Sequence, residues 1–296
     1  MPRKDWTVLL AIALLFSVVT LWRNQTWQQP LRLWQDVVEK SPQKLRALTN
    51  LAKAYIEAGR LEEAEKTLKK ALKLEPEFAP ALINLGLVRQ RQNRLEEAER
   101  LYLKALEIDP LWWQVYNNLG NLYLKRGSLD EAIEAFQKAI RLEPLKGLLH
   151  FNLALAYHEA GYLRASEIEY KRALSLGYES AVLRNNLGLL YFSKRRFKDA
   201  IGEYKRAIEL KPDYAEAHNN LANLYSMLGS FDKAIEEFKQ AVELDPTNAD
   251  IHYNMALTYM RTGQKDKALE HLRMAERLSP SDRQIKILIK RLEEGS

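Results

Sequence analysis

The chain has 296 residues, enough for one or two ordinary domains, and its 47% hydrophobic and 28% charged residues exclude a disordered protein. It contains no cysteine, so disulfides, thiolate zinc sites and cysteine nucleophiles are excluded. The net charge of +6 comes from 45 basic and 39 acidic residues that alternate along most of the chain. This alternation is typical of solvated helix faces and argues against a nucleic-acid partner, which needs a one-sided basic surface.

Residues 6–22 are predicted to form a transmembrane anchor behind a short flank, residues 1–5. The stretch between Trp6 and Trp22 carries no charge. As a helix it spans roughly 25 Å at ~1.5 Å per residue, and indole rings favour the membrane interface at both ends. Two alternatives remain open: a cleaved signal peptide, and a helix docked on soluble protein. The flanking basic residues lean towards a cytoplasmic N-terminus.

Residues 23–44 are predicted to form a junction that contains half of a helical hairpin. Pro42 stands 34 residues before Pro76, and Trp34 stands a multiple of 34 residues before Phe136. The stretch 31–40 therefore reads as the second helix of an incomplete repeat that packs on the first complete one.

A period of 34 residues extends over residues 45–282. Proline marks it at Pro42, Pro76, Pro110, Pro144, Pro212, Pro246 and Pro280, and Tyr178 stands at the one vacant position. The same register holds Leu51, Leu85, Leu119, Leu153, Leu187, Leu221 and Met255. Such a period predicts helical hairpins that bury their apolar stripes only by stacking on their neighbours.

The residue types within the period resemble the tetratricopeptide repeat family. In the repeat 113–146, the family positions four, seven, eight, eleven, twenty, twenty-four, twenty-seven and thirty-two are Tyr116, Leu119, Gly120, Tyr123, Ala132, Phe136, Ala139 and Pro144. The resemblance implies an all-α fold: a right-handed α-solenoid with a concave protein-binding surface. The seven repeats are residues 45–78, 79–112, 113–146, 147–180, 181–214, 215–248 and 249–282.

Each repeat is expected to turn between its two helices at a residue in the left-handed conformation. The predicted turn residues are Gly59, Asn93, Gly127, Gly161, Arg195, Gly229 and Gly263. Glycine and asparagine tolerate this conformation, whereas Arg195 adopts it at a cost.

After the last repeat, residues 283–296 are predicted to form a capping helix. Ile285, Leu288, Ile289 and Leu292 follow helical spacing and most other positions are charged, which suits the end of a repeat stack.

Three residues depart from the family pattern. Arg89 replaces a tyrosine, Ser166 replaces an alanine and Tyr178 replaces a proline. We expect altered packing around residues 175–181.

The most regular polar feature is an asparagine at position six of every repeat: Asn50, Asn84, Asn118, Asn152, Asn186, Asn220 and Asn254. By the resemblance, this position lies on the first helix of each pair and lines the concave wall. It is similar to the asparagine ladder of O-linked N-acetylglucosamine transferases. Two interpretations remain open, local bonding between helices and contact with a bound polypeptide backbone. The other residues predicted to line this groove are Leu87, Asn121, Leu124, Phe151, Leu155, His158 and Phe192.

The histidines and carboxylates suggest no catalytic or metal centre. His150, His218 and His252 occupy position four, a packed site, and no second ligand recurs at metal-binding spacing. No phosphate-binding loop, nucleophile elbow or zinc-protease motif occurs. We therefore expect a protein that is not an enzyme, with no cofactor, no metal and no small-molecule substrate, whose partners are a protein or peptide and the membrane.

The junction also resembles that of multi-spanning membrane glycosyltransferases with a repeat tail outside the cytoplasm. The shared features are Trp27, Leu33, Trp34, Asp36, Ser41, Pro42, Arg46, Ala47, Asn50 and Leu51. This resemblance implies repeats on the periplasmic or lumenal side of a single-pass protein. The preferred hypothesis is a membrane-anchored scaffold. An accessory tail of a glycan-transfer system and a cytoplasm-facing assembly factor remain alternatives.

Overall fold

The computed structural model describes residues 30–294, and this part of the chain contains sixteen α-helices and no strand. The helices are α1 Pro30–Lys40, α2 Leu45–Glu57, α3 Leu61–Leu74, α4 Ala79–Arg91, α5 Leu95–Ile108, α6 Trp113–Arg126, α7 Leu129–Leu142, α8 Gly147–Glu159, α9 Leu163–Ser175, α10 Ala181–Ser193, α11 Phe197–Leu210, α12 Ala215–Met227, α13 Phe231–Leu244, α14 Ala249–Arg261, α15 Lys265–Leu278 and α16 Arg283–Glu294. The predicted all-α architecture is confirmed.

The described helices form two compact units, one within residues 30–144 and one within residues 145–294. In the described part of the first unit, α1 packs on α2, and each later pair packs on the next. Gln35 of α1 donates a hydrogen bond of 3.1 Å to the hydroxyl of Tyr55, and Trp34 packs against the same core. The junction helix thus covers the first complete repeat.

The second unit stacks α8 to α15 in the same pairwise order and ends in α16. The cap buries Ile285, which is 2% exposed, against Leu272 and Ala275 of the last pair. Ile287 on the same helix is 50% exposed. One face of α16 therefore closes the stack and the other meets solvent.

Small residues at position eight let the two helices of a pair approach closely. Gly120 lies so near the ring of Phe136 that an added Cβ would stand 2.5 Å from it, and Gly188 has the same relation to Tyr204. These rings are fully buried. The sequence therefore places a small residue on the first helix opposite an aromatic residue on the second, because the two helices pack closely at that point.

The predicted turn residues all have positive φ angles, between 57° and 81°. Two of them are not glycine, Asn93 at 62° and Arg195 at 57°. The turn prediction is confirmed.

The segment after α9 differs from the equivalent segment of the other repeats. Gly177 has a φ of 79°, and the amide of Tyr178 donates to the carbonyl of Ala173. Ser180 then caps α10 by accepting from the amide of Leu183. A glycine turn and a serine cap replace the proline of the other repeats.

Arg89, the second departure, is buried and paired. Its guanidinium donates to both carboxylate oxygens of Glu65 in the preceding repeat and lies 3.2 Å from Glu97. In the next repeat Tyr123 donates to Glu99 across the same 24-residue separation. The arginine therefore makes the link between repeats that a tyrosine hydroxyl makes elsewhere, and it lowers the pKa of Glu65 to about 2.

The predicted transmembrane anchor, residues 6–22, lies outside the described residues. Within residues 30–294, every helix is too short or too polar to cross a membrane.

Candidate functional site

In each unit, the position-six asparagines lie on the same face of the first helices, which are α2, α4 and α6 in the first unit and α8, α10, α12 and α14 in the second. Counting from the start of each repeat, positions two, six, nine and thirteen follow i, i+4, i+7 and i+11 spacing, so their side chains project from the same side of a helix. Apart from Pro80, which is half-buried, positions two and thirteen are exposed, and positions six and nine are half-buried except for the buried Asn152 and the exposed Lys53. We call this surface the asparagine face in each unit.

Two of the asparagines bond to the preceding repeat. The amide of Asn220 donates to the side-chain oxygen of Asn185 over 2.9 Å, and Asn254 donates to Asn219 over 3.4 Å. Asn185 is fully buried and donates in turn to Glu216. Local bonding between helices, one of the two interpretations of the row, therefore describes these positions.

Four other asparagines of the row are half-buried: Asn50, Asn84, Asn118 and Asn186. Among the described residues, their side-chain amides form no hydrogen bond. An amide has one acceptor oxygen and two donor hydrogens, so these groups can pair with a peptide unit of another chain. The row thus combines bonded and open amides.

Polar side chains at the ends of the first helices join neighbouring repeats. Arg91 donates to the carbonyl of Ile56 over 2.7 Å, and Arg261 donates to the carbonyl of Ser226 over 2.6 Å. Both carbonyls lie in the last turn of a helix and also accept from the backbone amide of the turn glycine, Gly59 or Gly229. The arginine bonds fix one asparagine-bearing helix against the next.

The other predicted groove residues divide into two groups. Leu87, Asn121, Leu124, Leu155 and His158 are half-buried, and Phe192 is 38% exposed and packs on Phe197. Phe151 is only 7% exposed and contacts the rings of Tyr170 and Tyr178. Phe151 is therefore packed into the core to the same extent as Asn152, and its place in the groove stays a prediction.

Several exposed apolar residues of the face were not predicted. Leu148, Val182 and Met227 are 38%, 46% and 42% exposed. They stand four residues before or seven after an asparagine of the row, so helical spacing from the asparagines was the signal that could have identified them.

A polar pair lies between the two helices of each repeat in the second unit. His150 contacts Glu169 at 2.6 Å, Arg184 contacts Glu203 at 2.9 Å, and His218 contacts Glu237 at 2.7 Å, always 19 residues apart. The hydrogen bond from Glu237 raises the pKa of His218 above its ordinary value. The position-four histidines are packed, as predicted, and each has a polar partner.

The last repeat replaces the carboxylate of this pair by a second histidine. The Nδ1 atoms of His252 and His271 lie 3.0 Å apart, and His252 also bonds through Nε2 to the carbonyl of Pro246. Burial lowers the pKa of His271, and the neighbouring His252 lowers it further. In residues 30–294, histidines and carboxylates form no cluster of three that could hold a metal ion.

Family models agree with this architecture over most of the chain. Models described as tetratricopeptide repeat match residues 21–72, 49–111, 113–144 and 249–282, and a model described as TPR repeat matches residues 188–229 and 227–263. The chain belongs to the tetratricopeptide repeat family. A search of curated protein sequences gives no match.

Solved tetratricopeptide repeat structures share the fold. The APC/C hetero-tetramer Cut9–Hcn1 matches with a TM-score of 0.73 at 23% identity, over 88% of this chain and 52% of the other, so the chain spans about half of that protein. Yeast Tom70 matches with a TM-score of 0.60 at 20% identity, over 90% and 58%. YrrB, described as a TPR protein with an unusual peptide-binding site, matches with a TM-score of 0.52 at 26% identity, over 64% and 97%.

Proposed function

We propose that this protein is a scaffold that binds an extended segment of another polypeptide along its asparagine face. The observation that carries the proposal is the presence of an asparagine at position six in all seven repeats. The helix faces that carry these asparagines are mostly exposed at positions two and thirteen. Four of these amides, those of Asn50, Asn84, Asn118 and Asn186, form no hydrogen bond within the described residues and are available to a ligand.

The chemistry of the face suits a peptide backbone. A peptide unit offers one N–H and one C=O, and a side-chain amide can pair with both. A row of such amides holds a chain with little regard to its sequence, and the variable residues at positions two, nine and thirteen then select among side chains. YrrB supports this proposal as a structural relative that has a peptide-binding site.

We propose that residues 6–22 tether the scaffold to a membrane, with the N-terminus cytoplasmic and the repeats on the periplasmic or lumenal side. The uncharged stretch between Trp6 and Trp22 supports the tether. Protease treatment of intact spheroplasts tests the orientation. Digestion of the repeats from outside is expected, and their protection until lysis would reverse the assignment.

Replacement of Asn84, Asn118 and Asn186 by alanine tests the groove. Each lost amide bond to a ligand is worth about 0.5–1.5 kcal/mol, so binding of the full-length chain to an array of extended synthetic peptides is expected to weaken about ten- to two-thousandfold. These three asparagines make no side-chain hydrogen bond within residues 30–294, so the far-UV circular dichroism and melting temperature are expected to change little.

The matched control replaces Gln43, Gln240 and Gln284, exposed amides away from the face, by alanine. It is expected to bind the array as the native chain does. Equal binding by the two triple variants and the native chain would remove the asparagine face from the function.

A further inference from the structure

The side chains at position two of the second unit change character along the stack. Leu148 on α8 and Val182 on α10 are exposed apolar residues, and Glu216 on α12 and Asp250 on α14 follow in the same register. From α8 to α14, the position-two side chains are thus apolar, apolar, acidic and acidic. It borders the asparagine row, one helical turn away.

The apolar half of the row lies on two helices that contact each other. α8 packs against α10, and Leu155 and Leu189, seven residues further along each helix, are half-buried on the same faces. Exposed apolar side chains that cluster in this way mark a surface that another molecule covers.

The acidic half of the row has no cationic partner. Within the described residues, neither Glu216 nor Asp250 forms an ion pair with a lysine or arginine. Glu216 accepts hydrogen bonds from Asn185 and Tyr214, which orient it without neutralising it. Arg261, the one arginine on this face of the unit, donates to a backbone carbonyl and lies over the ring of Phe231. The negative charge therefore remains open to a ligand.

The asparagine face of the first unit differs in charge. Its exposed ionic residues are Arg46, Lys53, Arg91 and Lys125 with one acid, Glu57, whereas those of the second unit are Glu159, Glu216 and Asp250 with one base, Arg261. The first unit also lacks exposed apolar side chains at position two, where it has Arg46, Pro80 and Gln114. A ligand with apolar and basic side chains thus fits the second unit and is disfavoured by the first.

We infer that the second unit binds an extended peptide segment carrying two apolar side chains followed, along the groove, by two basic ones. Packed neighbouring helices lie roughly 8–10 Å apart, and an extended chain advances ~3.3 Å per residue. About three residues of ligand therefore match one repeat, so the four side chains recur at every third residue. This inference rests on the proposed function, since it assigns the partner chemistry of the same face.

A pair of fluorescent peptides tests the assignment on the full-length chain in a mild detergent. Both have leucine at two positions three apart, and they differ only in carrying two lysines or two glutamates at the same spacing beyond. Each peptide is made in both directions, because side-chain amides impose no chain polarity. The lysine peptide is expected to bind about tenfold more tightly in anisotropy titrations, with a preference that falls as salt rises.

Two substitutions locate the contacts. Val182→Asp, at an exposed position, is expected to weaken the lysine peptide about tenfold by removing the apolar patch. Asp250→Lys is expected to abolish or reverse the preference between the two peptides. Lys53→Glu in the first unit is the control and is expected to leave both affinities unchanged. Circular dichroism checks that each variant keeps its helices.

The outcomes separate this inference from the broader function. Equal affinity of the two peptides, or an Asp250→Lys chain that keeps the native preference, would overturn the assigned partner chemistry. If neither peptide binds while the peptide array does, the partner chemistry is wrong and the scaffold function stands. If the array also fails, both proposals fall together.

Discussion

At the scale of single residues, the polar pairs between helices give the second unit opposite responses to acid. The pKa of His218 is raised by its bond to Glu237, so the stability from this pair is fully present below the ordinary histidine pKa and is lost as pH rises through the raised value. The pKa of His271 is lowered, so the stability of the His252–His271 pair is present at neutral pH and is lost as pH falls. Acid therefore favours the His218 pair and disfavours the pair in the last repeat.

The substitution His271→Glu should remove this acid sensitivity, because it restores the histidine–carboxylate pair of the other repeats. We expect hydrogen exchange of α14 and α15, corrected for intrinsic rates, to accelerate in the native chain between about pH 7.5 and pH 5.5, across the ordinary histidine pKa. In the variant, exchange should stay constant or slow. Glu270 favours the charged form of His271 and moderates the effect. Identical pH profiles in the two chains would contradict the linkage.

At this scale, the sequence shows which positions hold asparagine but not which asparagines bond to each other. Asn185 and Asn219 at position five could be read from the sequence, as could Asn220 and Asn254 at position six. Their pairing depends on how far one repeat is rotated against the next, which no local pattern encodes. The burial of Phe151 was not evident for the same reason, since a rotation of about one helical position separates an open helix face from the core.

At the scale of helices and turns, prediction succeeded because the backbone leaves few choices. A short connection between antiparallel helices needs a left-handed residue, and glycine, asparagine or a strained residue must then occupy that place. The segment after α9 shows the limit. Loss of the proline indicated a change there, but the glycine turn and the Ser180 cap that replace it are visible only in the structure.

The turn between α10 and α11 offers a stabilising substitution. Arg195 has a φ of 57° and an exposed side chain, so Arg195→Gly removes the left-handed strain without losing a contact in the described part of the chain. We expect a gain of about 1 kcal/mol in the free energy of unfolding, measured by urea denaturation.

The reverse change in the next repeat is its matched test. Gly229 has a φ of 78° in the equivalent turn, so Gly229→Arg should cost about as much as Arg195→Gly gains. A destabilised Arg195→Gly chain would show that this side chain contributes more than the strain it causes.

At the scale of the whole molecule, stability is the sum of many interfaces between neighbours, and the ends depend on their caps. Residues 45–282 keep one period without insertion, so the number of repeats and their order could be predicted from spacing alone. Which face of α16 packs inward followed from its apolar spacing, and the structure buries Ile285 there.

The two isoleucines of α16 test whether this helix stabilises the end of the stack by packing on it. Ile285→Ala should leave a cavity under the cap that costs about 2–4 kcal/mol, so hydrogen exchange should accelerate in α15 and α16 before it does elsewhere. Ile287→Ala changes a residue that is 50% exposed and should alter exchange little. Equal effects of the two changes would mean that α16 does not close the stack.

The hydrogen bonds of Asn220 and Asn254 also affect the entropy cost of binding a peptide at the asparagine face. Each of these amides uses one donor on the preceding repeat, which fixes its rotamer while leaving its oxygen and one N–H unused. A side chain that is already immobile loses little conformational entropy on association. If the asparagine face binds a peptide as proposed, these bonds preorganise the amides that contact its backbone, and affinity gained in this way does not depend on the side chains of the peptide.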